Sequence, residues 1–318
     1  MQRKNNQRNT PCSIVIRAYN EEKHIERLLT GISQQSIAGA EIILVDSGST
    51  DHTIEIARRF NVKIININPH EFSFGRALNL GIQHATTELI VIASAHVYPV
   101  YPDWLEKLLA PLEDPKFALA YGKQRGTDIS KFSEQQIFIQ WYPDQSITNQ
   151  IHPFCNNANA AIRRSVWEKQ PYDESLSGLE DLDWAKKALE SGYRITYCAE
   201  AEIIHVHNET PMAVYHRYQR EAMAYKHIFP HEHFNFWDFI RLFTVNVIND
   251  VHQAFKQHCL LQNVINILWF RWMQFWGTYQ GYRCPGLLNW QLRKKFYYPP
   301  SYTIEKQENY RQVQPIEY

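Results

Sequence analysis

Ser13-Ile14-Val15-Ile16-Arg17-Ala18-Tyr19-Asn20-Glu21-Glu22 and, one helix length later, Glu41-Ile42-Ile43-Leu44-Val45-Asp46-Ser47-Gly48-Ser49-Thr50-Asp51 decide the fold. Each is a short apolar run that breaks into polar loop residues. Two parallel strands ending this way set their loops side by side at the carboxyl edge of a sheet, where open α/β folds build nucleotide pockets. No glycine follows the first run. The G-x-G-x-x-G turn through which a backbone meets a dinucleotide pyrophosphate is therefore missing, which argues against a dehydrogenase. Asp46-Ser47-Gly48-Ser49-Thr50 reads equally well as a turn and helix cap, since Asp, Ser and Thr are preferred there on local grounds.

Outward from these segments, apolar runs of strand length alternate with amphipathic stretches. Strands are expected at 12–18, 41–46, 62–66 and 88–93, with helices at 21–34, 50–60 and 74–85 between them. That alternation predicts an α/β fold with a mostly parallel sheet and right-handed crossovers. A helix near 103–112 and a strand at 117–121 follow. The pattern loosens from about 125 to 160, where Trp141, Tyr142, Pro143 and His152-Pro153-Phe154 are expected in loops. A helix at 180–191 precedes short strands at 193–198 and 201–205. Beyond 210 the chain reads as helical and aromatic, with Phe236, Ile240, Phe243, Val247, Val251 and then Leu261, Ile265, Leu268, Trp272, Phe275 at helical spacing.

The 318 residues suffice for a catalytic domain and an appendage. With 33 basic and 33 acidic side chains the formal charge is zero, so no nucleic-acid partner is expected. Cys12, Cys155, Cys198, Cys259 and Cys284 are odd in number, scattered and without a C-x-x-C pair. They build neither a disulfide framework nor a zinc knuckle, and a reducing, cytoplasmic compartment is expected. Met1–Thr10 is polar and reads as a flexible tail rather than a signal peptide. No apolar run reaches the roughly 18 residues that a membrane span requires.

The two opening segments resemble the start of the family 2 glycosyltransferases, whose usual pattern runs roughly S-V-V-I-P-x-Y-N-E, a helix, then I-V-V-D-D-G-S-T-D. The resemblance implies a GT-A-like catalytic domain over 11–210, with a nucleotide-binding half at 11–96 and an acceptor half at 97–210. An aromatic amphipathic helical region at 211–296 and a tail at 297–318 complete the expected organisation. It also implies a nucleotide-sugar donor held by Ala18, Tyr19, Glu21, Asp46, Arg76, Ser94 and His96. Asp46 would meet the base or ribose, because a carboxylate accepts two hydrogen bonds from such groups. Phe74-Gly75-Arg76-Ala77-Leu78-Asn79-Leu80-Gly81 resembles the family's segment before its metal strand, and Arg76 could grip the pyrophosphate with its planar fork. A solvated surface arginine fits the same position.

Where the family places a D-x-D motif for Mg²⁺ or Mn²⁺, this chain has Ser94-Ala95-His96. A hydroxyl is a poor metal ligand, whereas a neutral imidazole binds Mn²⁺ and later divalent ions. His205-Val206-His207 resembles an H-x-H element found in some bacterial members, and its alternation sets both rings on one face. His96, His205 and His207 thus form either a divalent-metal site or a metal-free set of donors to the diphosphate. Ser177-Gly178-Leu179-Glu180-Asp181-Leu182-Asp183-Trp184 resembles the family's E-D motif, in which the residue matching Asp181 takes the proton of the attacking hydroxyl. Glu180 and Trp184 are expected on the acceptor side. Ser177-x-x-Glu180 also reads as a capping box. Asn156 to Arg164 resembles an acceptor-side segment ending in R-R.

Trp237, Trp269, Trp272, Trp276 and Trp290 concentrate in the carboxyl third, with Arg271, Arg283, Arg293, Lys294 and Lys295 suited to anionic headgroups. Such helices pack against a domain, lie on a membrane surface, or do both. Trp276-Gly277-Thr278-Tyr279-Gln280-Gly281-Tyr282-Arg283 resembles a segment of transferases that extend lipid-linked glycans. The expected activity is inverting transfer of a hexose or deoxyhexose to a glycan or lipid-linked acceptor in cell-surface polysaccharide synthesis, by a peripheral protein on the inner membrane face. A catalytically weak, glycosyltransferase-like assembly protein is the alternative.

Overall fold

The computed structural model describes residues 12–207, 209–283 and 313–318. The expectations for the tail at 1–10, for Cys284, Trp290, Arg293, Lys294 and Lys295, and for most of the 297–318 tail lie outside these residues.

Four parallel strands open the fold: β1 (Cys12–Ala18), β2 (Glu41–Asp46), β3 (Val62–Asn66) and β4 (Leu89–Ser94). Between them run α1 (Ile25–Ser33), α2 (Thr53–Ala57) and α3 (Phe74–Gln83). β1 lies between β2 and β4, with Ala18 opposite Asp46 and Arg17 opposite Ser94. Helices cover both faces, so Ile14, Val15 and Ile16 are all fully buried. This is why the strand reads as a continuous apolar run rather than an alternation. The helix expected from 21 starts only at Ile25. Asn20 adopts a left-handed conformation (φ 56°), and the Glu21 carbonyl closes a turn by accepting from the amides of His24 and Ile25.

The strands after β4 run in mixed directions. β5 (Val97–Pro99), α4 (Trp104–Leu109), β6 (Phe117–Arg125), α5 (Phe132–Trp141), β7 (Ile147–Gln150), β8 (Asn159–Arg163), α6 (Arg164–Trp167), α7 (Glu180–Glu190) and β9 (Arg194–His205) follow in order. The sheet order is β3-β2-β1-β4-β8-β6-β9-β5, with β7 on β9. β8 runs antiparallel between β4 and β6, and so joins the two halves into one sheet. Two expectations change here. The stretch read as loops contains α5, and the two short strands are one twelve-residue strand, β9.

Three long helices follow: α8 (Pro211–Ile228), α9 (Phe236–Lys256) and α10 (Leu260–Arg283). Pro211 occupies the first turn of α8, where its missing N–H costs nothing, and the Thr210 hydroxyl accepts from the Ala213 amide. Gly277 and Gly281 let α10 ride directly on α8. A Cβ at either position would collide with the carbonyl oxygens of Tyr215 or Gln219. The segment noted for its likeness to lipid-glycan transferases thus forms a helix crossing.

The two helical stripes pack only in part: Phe275 is buried, and Phe243, Val247 and Val251 are half-buried against the core. Phe236, Ile240, Leu261, Ile265, Leu268 and Trp272 are exposed, and the buried side of α9 and α10 carries Asn246, Asp250, Arg271, Gln274 and Thr278 among its apolar groups. Arg271 does not face headgroups. It is 2% exposed and donates from Nε and Nη2 to the Asp250 carboxylate at 2.7 and 2.9 Å. Arg283 stacks over Tyr279. At the far end of the chain the Ile316 amide donates to the Val100 carbonyl, and the Tyr318 hydroxyl donates to Pro99 beside β5. Among the described residues no helix is long and apolar enough to cross a membrane.

Candidate active site

The carboxyl ends of β1, β2 and β4 meet at one edge. There the Ala18 carbonyl accepts from the Ser47 amide, and the Asp46 carboxylate accepts from the amides of Gly48 and Ser49 at 3.1 Å each. The turn reading of this segment is therefore real. Asp46 is 4% exposed; its Oδ2 takes both of these amides, while Oδ1, 3.3 Å from the Ser49 amide, keeps a lone pair for a further donor. Tyr19 stands out from the same edge, more than half exposed.

Beyond β4 the chain reverses into β5, which pairs antiparallel with the end of β9 and sets Val97 opposite His205. The Val206 amide donates to the His96 carbonyl. This pairing, invisible in sequence distance, brings the three histidines together. The rings of His96 and His205 stack at 5.1 Å, and those of His205 and His207 lie 4.0 Å apart. One ligand atom from each of the three lies within 4.8 Å of the others. Glu21 Oε1 is 2.7 Å from His96 Nδ1, Gln124 Oε1 is 2.8 Å from His205 Nδ1, and Glu134 Oε1 is 2.7 Å from His207 Nδ1. Burial pushes His205 and His207 well below the usual imidazole range, and the charge of Arg217 adds to the shift of both. Both rings are neutral at pH 7, the form that ligates metals.

The second group lies at the start of α7. Leu179 adopts a left-handed conformation (φ 56°) and turns the chain sharply into the helix. The expected capping box is absent. Because the helix starts at Glu180, Ser177 lies too far back to cap it and instead donates from its hydroxyl to the Arg220 carbonyl in α8. Glu180 accepts from Arg17 at 3.1 Å and from the Asn157 side chain. Asp181 accepts from the Asn157 amide at 3.0 Å and from its neighbour Leu182 at 2.8 Å. Amide donors at a helix amino terminus favour a carboxylate. Burial and the adjacent Glu180 charge outweigh them, and the Asp181 carboxyl is pushed up to about 7. A carboxylate at that value can accept a proton near neutrality.

A cavity of about 160 Å³ joins the two groups. Asp181, His205 and His207 line it together with Tyr218, Glu221 and Tyr225 from α8. The helical region therefore walls the site rather than standing apart from it.

Two expected site residues fall elsewhere. Arg76 is drawn to the surface by Glu71 and Glu174, 3.3 and 3.4 Å from its guanidinium. Its charge is already matched there. Trp184, one helical turn after Asp181, projects inward, is fully buried and donates to the Gln170 carbonyl, so it is core rather than an acceptor contact. Sequence reasoning missed Arg17, Gln124, Glu134 and Arg217. Gln124 lies just beyond the strand expected at 117–121 and Glu134 in the stretch read as loops, and only the fold shows what they face. Arg217 bridges Glu134 and Glu209 at 2.8 and 2.6 Å.

Comparison with known proteins agrees with this geometry. Over 219 residues the chain is 29% identical to the O-antigen chain rhamnosyltransferase RfbN of Salmonella typhimurium, covering 65% of this chain and 69% of that one. Over 196 residues it is 30% identical to the O-antigen chain rhamnosyltransferase WbaN of Salmonella anatum, covering 58% and 62%. The fold resembles that of the mannosyltransferase PcManGT from Pyrobaculum calidifontis, solved with GDP-Man and Mn²⁺. There the TM-score is 0.57 at 20% identity, across 85% of this chain and 84% of that one. The model of glycosyl transferase family 2 matches residues 13–170, the segment that carries the three strand ends and their loops, and over that segment the chain belongs to the family.

Proposed function

We propose that the chain transfers a sugar, with inversion, from a nucleotide-sugar donor to a hydroxyl of a glycan or lipid-linked acceptor in the assembly of a cell-surface polysaccharide. The observation that carries this reading is Asp181. It is a buried carboxylate that titrates near neutrality and opens onto a cavity shared with the histidine cluster. The rhamnosyltransferase relatives favour a deoxyhexose as the group transferred.

In this reading the nucleoside lies over the ends of β1 and β2, with Asp46 at the base or ribose and Tyr19 beside it. The diphosphate lies by Glu21, Ser94 and His96. Asp181 takes the proton of the acceptor hydroxyl as that oxygen bonds to the anomeric carbon. The bond from carbon to the diphosphate oxygen breaks on the opposite face, which inverts the centre. Arg17 and Asn157 hold Glu180, and Asn157 also fixes Asp181, so the base keeps its aim without reorganising. His96, His205 and His207 suit a divalent ion, being imidazole donors converging from two strand ends. Such an ion would offset charge on the departing diphosphate. This cluster supports the catalytic reading over the non-catalytic one, which rests on the missing D-x-D. The exposed apolar residues of α9 and α10 support a peripheral position on the cytoplasmic face of a membrane, where a lipid-linked acceptor resides.

Nucleoside diphosphate release, measured across a panel of nucleotide sugars with a glycan acceptor, tests the reading. Asp181→Asn should keep the donor-induced rise in melting temperature and lose transfer. Transfer at the wild-type rate by that variant would overturn the assignment.

A further inference from the structure

The histidine cluster is held in a particular tautomer, and this determines what it can bind. Gln124 Oε1 and Glu134 Oε1 are acceptors, so the ring nitrogens facing them, Nδ1 of His205 and Nδ1 of His207, carry the protons. Each neutral ring has one proton. Both Nε2 atoms therefore present lone pairs, and they face each other at 2.9 Å. Two lone pairs at that distance repel unless a cation lies against them. His96 likewise sets Nδ1 on the Glu21 carboxylate at 2.7 Å, and Ser94 Oγ lies 3.1 Å from its Nε2. The three outer partners come from three different places: Glu21 after β1, Gln124 in β6 and Glu134 in α5. Glu134 is itself fixed by Arg217 from α8, and it is 3% exposed. Oxygen acceptors on the outer nitrogen of ligating histidines are how proteins orient metal ligands and raise their basicity.

Resting on the metal reading above, the geometry points to Glu21, Gln124 and Glu134 as positioning residues that make His96, His205 and His207 an all-nitrogen site, selective for the later transition-metal ions such as Co²⁺ and Zn²⁺ over Mg²⁺. Imidazole suits those ions, whereas Mg²⁺ demands oxygen ligands and keeps its water. Substitution by histidine at the site of the missing carboxylates thus changes the class of ion, not only the ligand. A hydrogen-bonded network without a metal is the rival. In it the Gln124 amide is turned, so that His205 Nδ1 accepts and His205 Nε2–H donates to His207. The Gln124 Nε2 atom is buried and unpartnered in this structure, which gives that rival a definite form.

The experiment is a titration of the metal-free full-length chain with Co²⁺, followed by the visible absorption of the bound ion, and with Zn²⁺ and Mg²⁺ by calorimetry. Co²⁺ and Zn²⁺ should bind one per chain, Mg²⁺ at millimolar concentration should not displace them, and His205→Ala should abolish the Co²⁺ spectrum. Gln124→Leu and Glu134→Gln should weaken Co²⁺ binding about 10-fold to 100-fold. Gln124→Glu, which can only accept, should retain or strengthen it. Nitrogen-15 NMR of the imidazoles in the Zn²⁺ form should show Nδ1 protonated and Nε2 ligated on both His205 and His207. Absence of Co²⁺ and Zn²⁺ binding would overturn the metal reading itself. Binding that is indifferent to Gln124→Leu and Glu134→Gln, that is lost in Gln124→Glu, or that Mg²⁺ matches would overturn the positioning and selectivity inference while leaving the site in place.

Discussion

Asp181 shows how opposing forces at one residue set a proton affinity. Two amide donors and the helix terminus lower its proton affinity, and burial beside Glu180 raises it further. The net result near 7 yields two expectations. The rate of transfer should rise as pH increases through about 7, where Asp181 loses its proton, and Asp181→Asn should lower kcat about 10²-fold to 10⁴-fold and remove that limb. A pH–rate profile of both proteins checks this. The stability effect has the opposite sign. A carboxyl raised on folding contributes fully below its unfolded value near 3.8, and the contribution is lost as pH rises through about 7. At pH 8 the Asn variant should therefore be more stable than the wild type, by about 1–4 kcal/mol in urea unfolding. Equal or lower stability at pH 8 would show that the carboxylate is better solvated than its burial implies. Asp181 was legible in the sequence because its neighbours share a motif. Gln124 and Glu134 were not, since nothing local marks a residue whose work is to face a histidine 73 or 81 positions away.

At the scale of elements, what could be read depended on how each one is buried. β1, β2 and β4 are covered on both faces, so composition alone revealed them. α5 was hidden because its buried residues are Phe132, Ser133, Glu134 and Phe138, a mixture with little periodic apolarity. α9 and α10 were legible only in part for a related reason. Their inward side is partly polar, with Asp250, Arg271, Gln274 and Thr278, so the apolar spacing runs from buried Phe275 and half-buried Phe243, Val247 and Val251 to exposed Phe236, Ile240, Leu261 and Ile265. Arg271 ties these helices to the site by reaching Asp250 in α9 and the Ser133 carbonyl in α5, one residue from Glu134. A buried ion pair is costly to break and cheap to replace. Arg271→Leu should thus destabilise the chain by about 3–5 kcal/mol, because Asp250 is left buried and unpaired. Arg271→Leu combined with Asp250→Leu should recover most of that loss. A double-mutant cycle by urea unfolding measures it, and additive losses would show that the pair is not coupled.

Taken as a whole, the molecule places chemistry and exposed apolar surface on opposite sides of the same helices. The inner faces of α8 and α10 wall the cavity, while outward from α9 and α10 stand Trp237, Phe255, Leu261 and Ile265, exposed by 76, 68, 93 and 75%. Single exposed apolar residues are ordinary, and the membrane position proposed above is what would make these four a contact surface. Aromatic and aliphatic side chains of this kind enter the boundary between headgroups and acyl chains, and an enzyme extending a lipid-linked glycan gains by staying at that boundary. Leu261→Asp with Ile265→Asp removes two of the most exposed groups without touching the core, so melting temperature and turnover of a water-soluble acceptor should be unchanged. Burying a leucine or isoleucine is worth about 1.5–3 kcal/mol, so vesicle affinity should fall about tenfold or more for each residue lost. Co-sedimentation with phosphatidylglycerol vesicles reads the effect directly. Unchanged pelleting of the double variant would show that membrane binding uses another surface. A change in its sedimentation coefficient without vesicles would instead show that a second copy of the chain covers these helices.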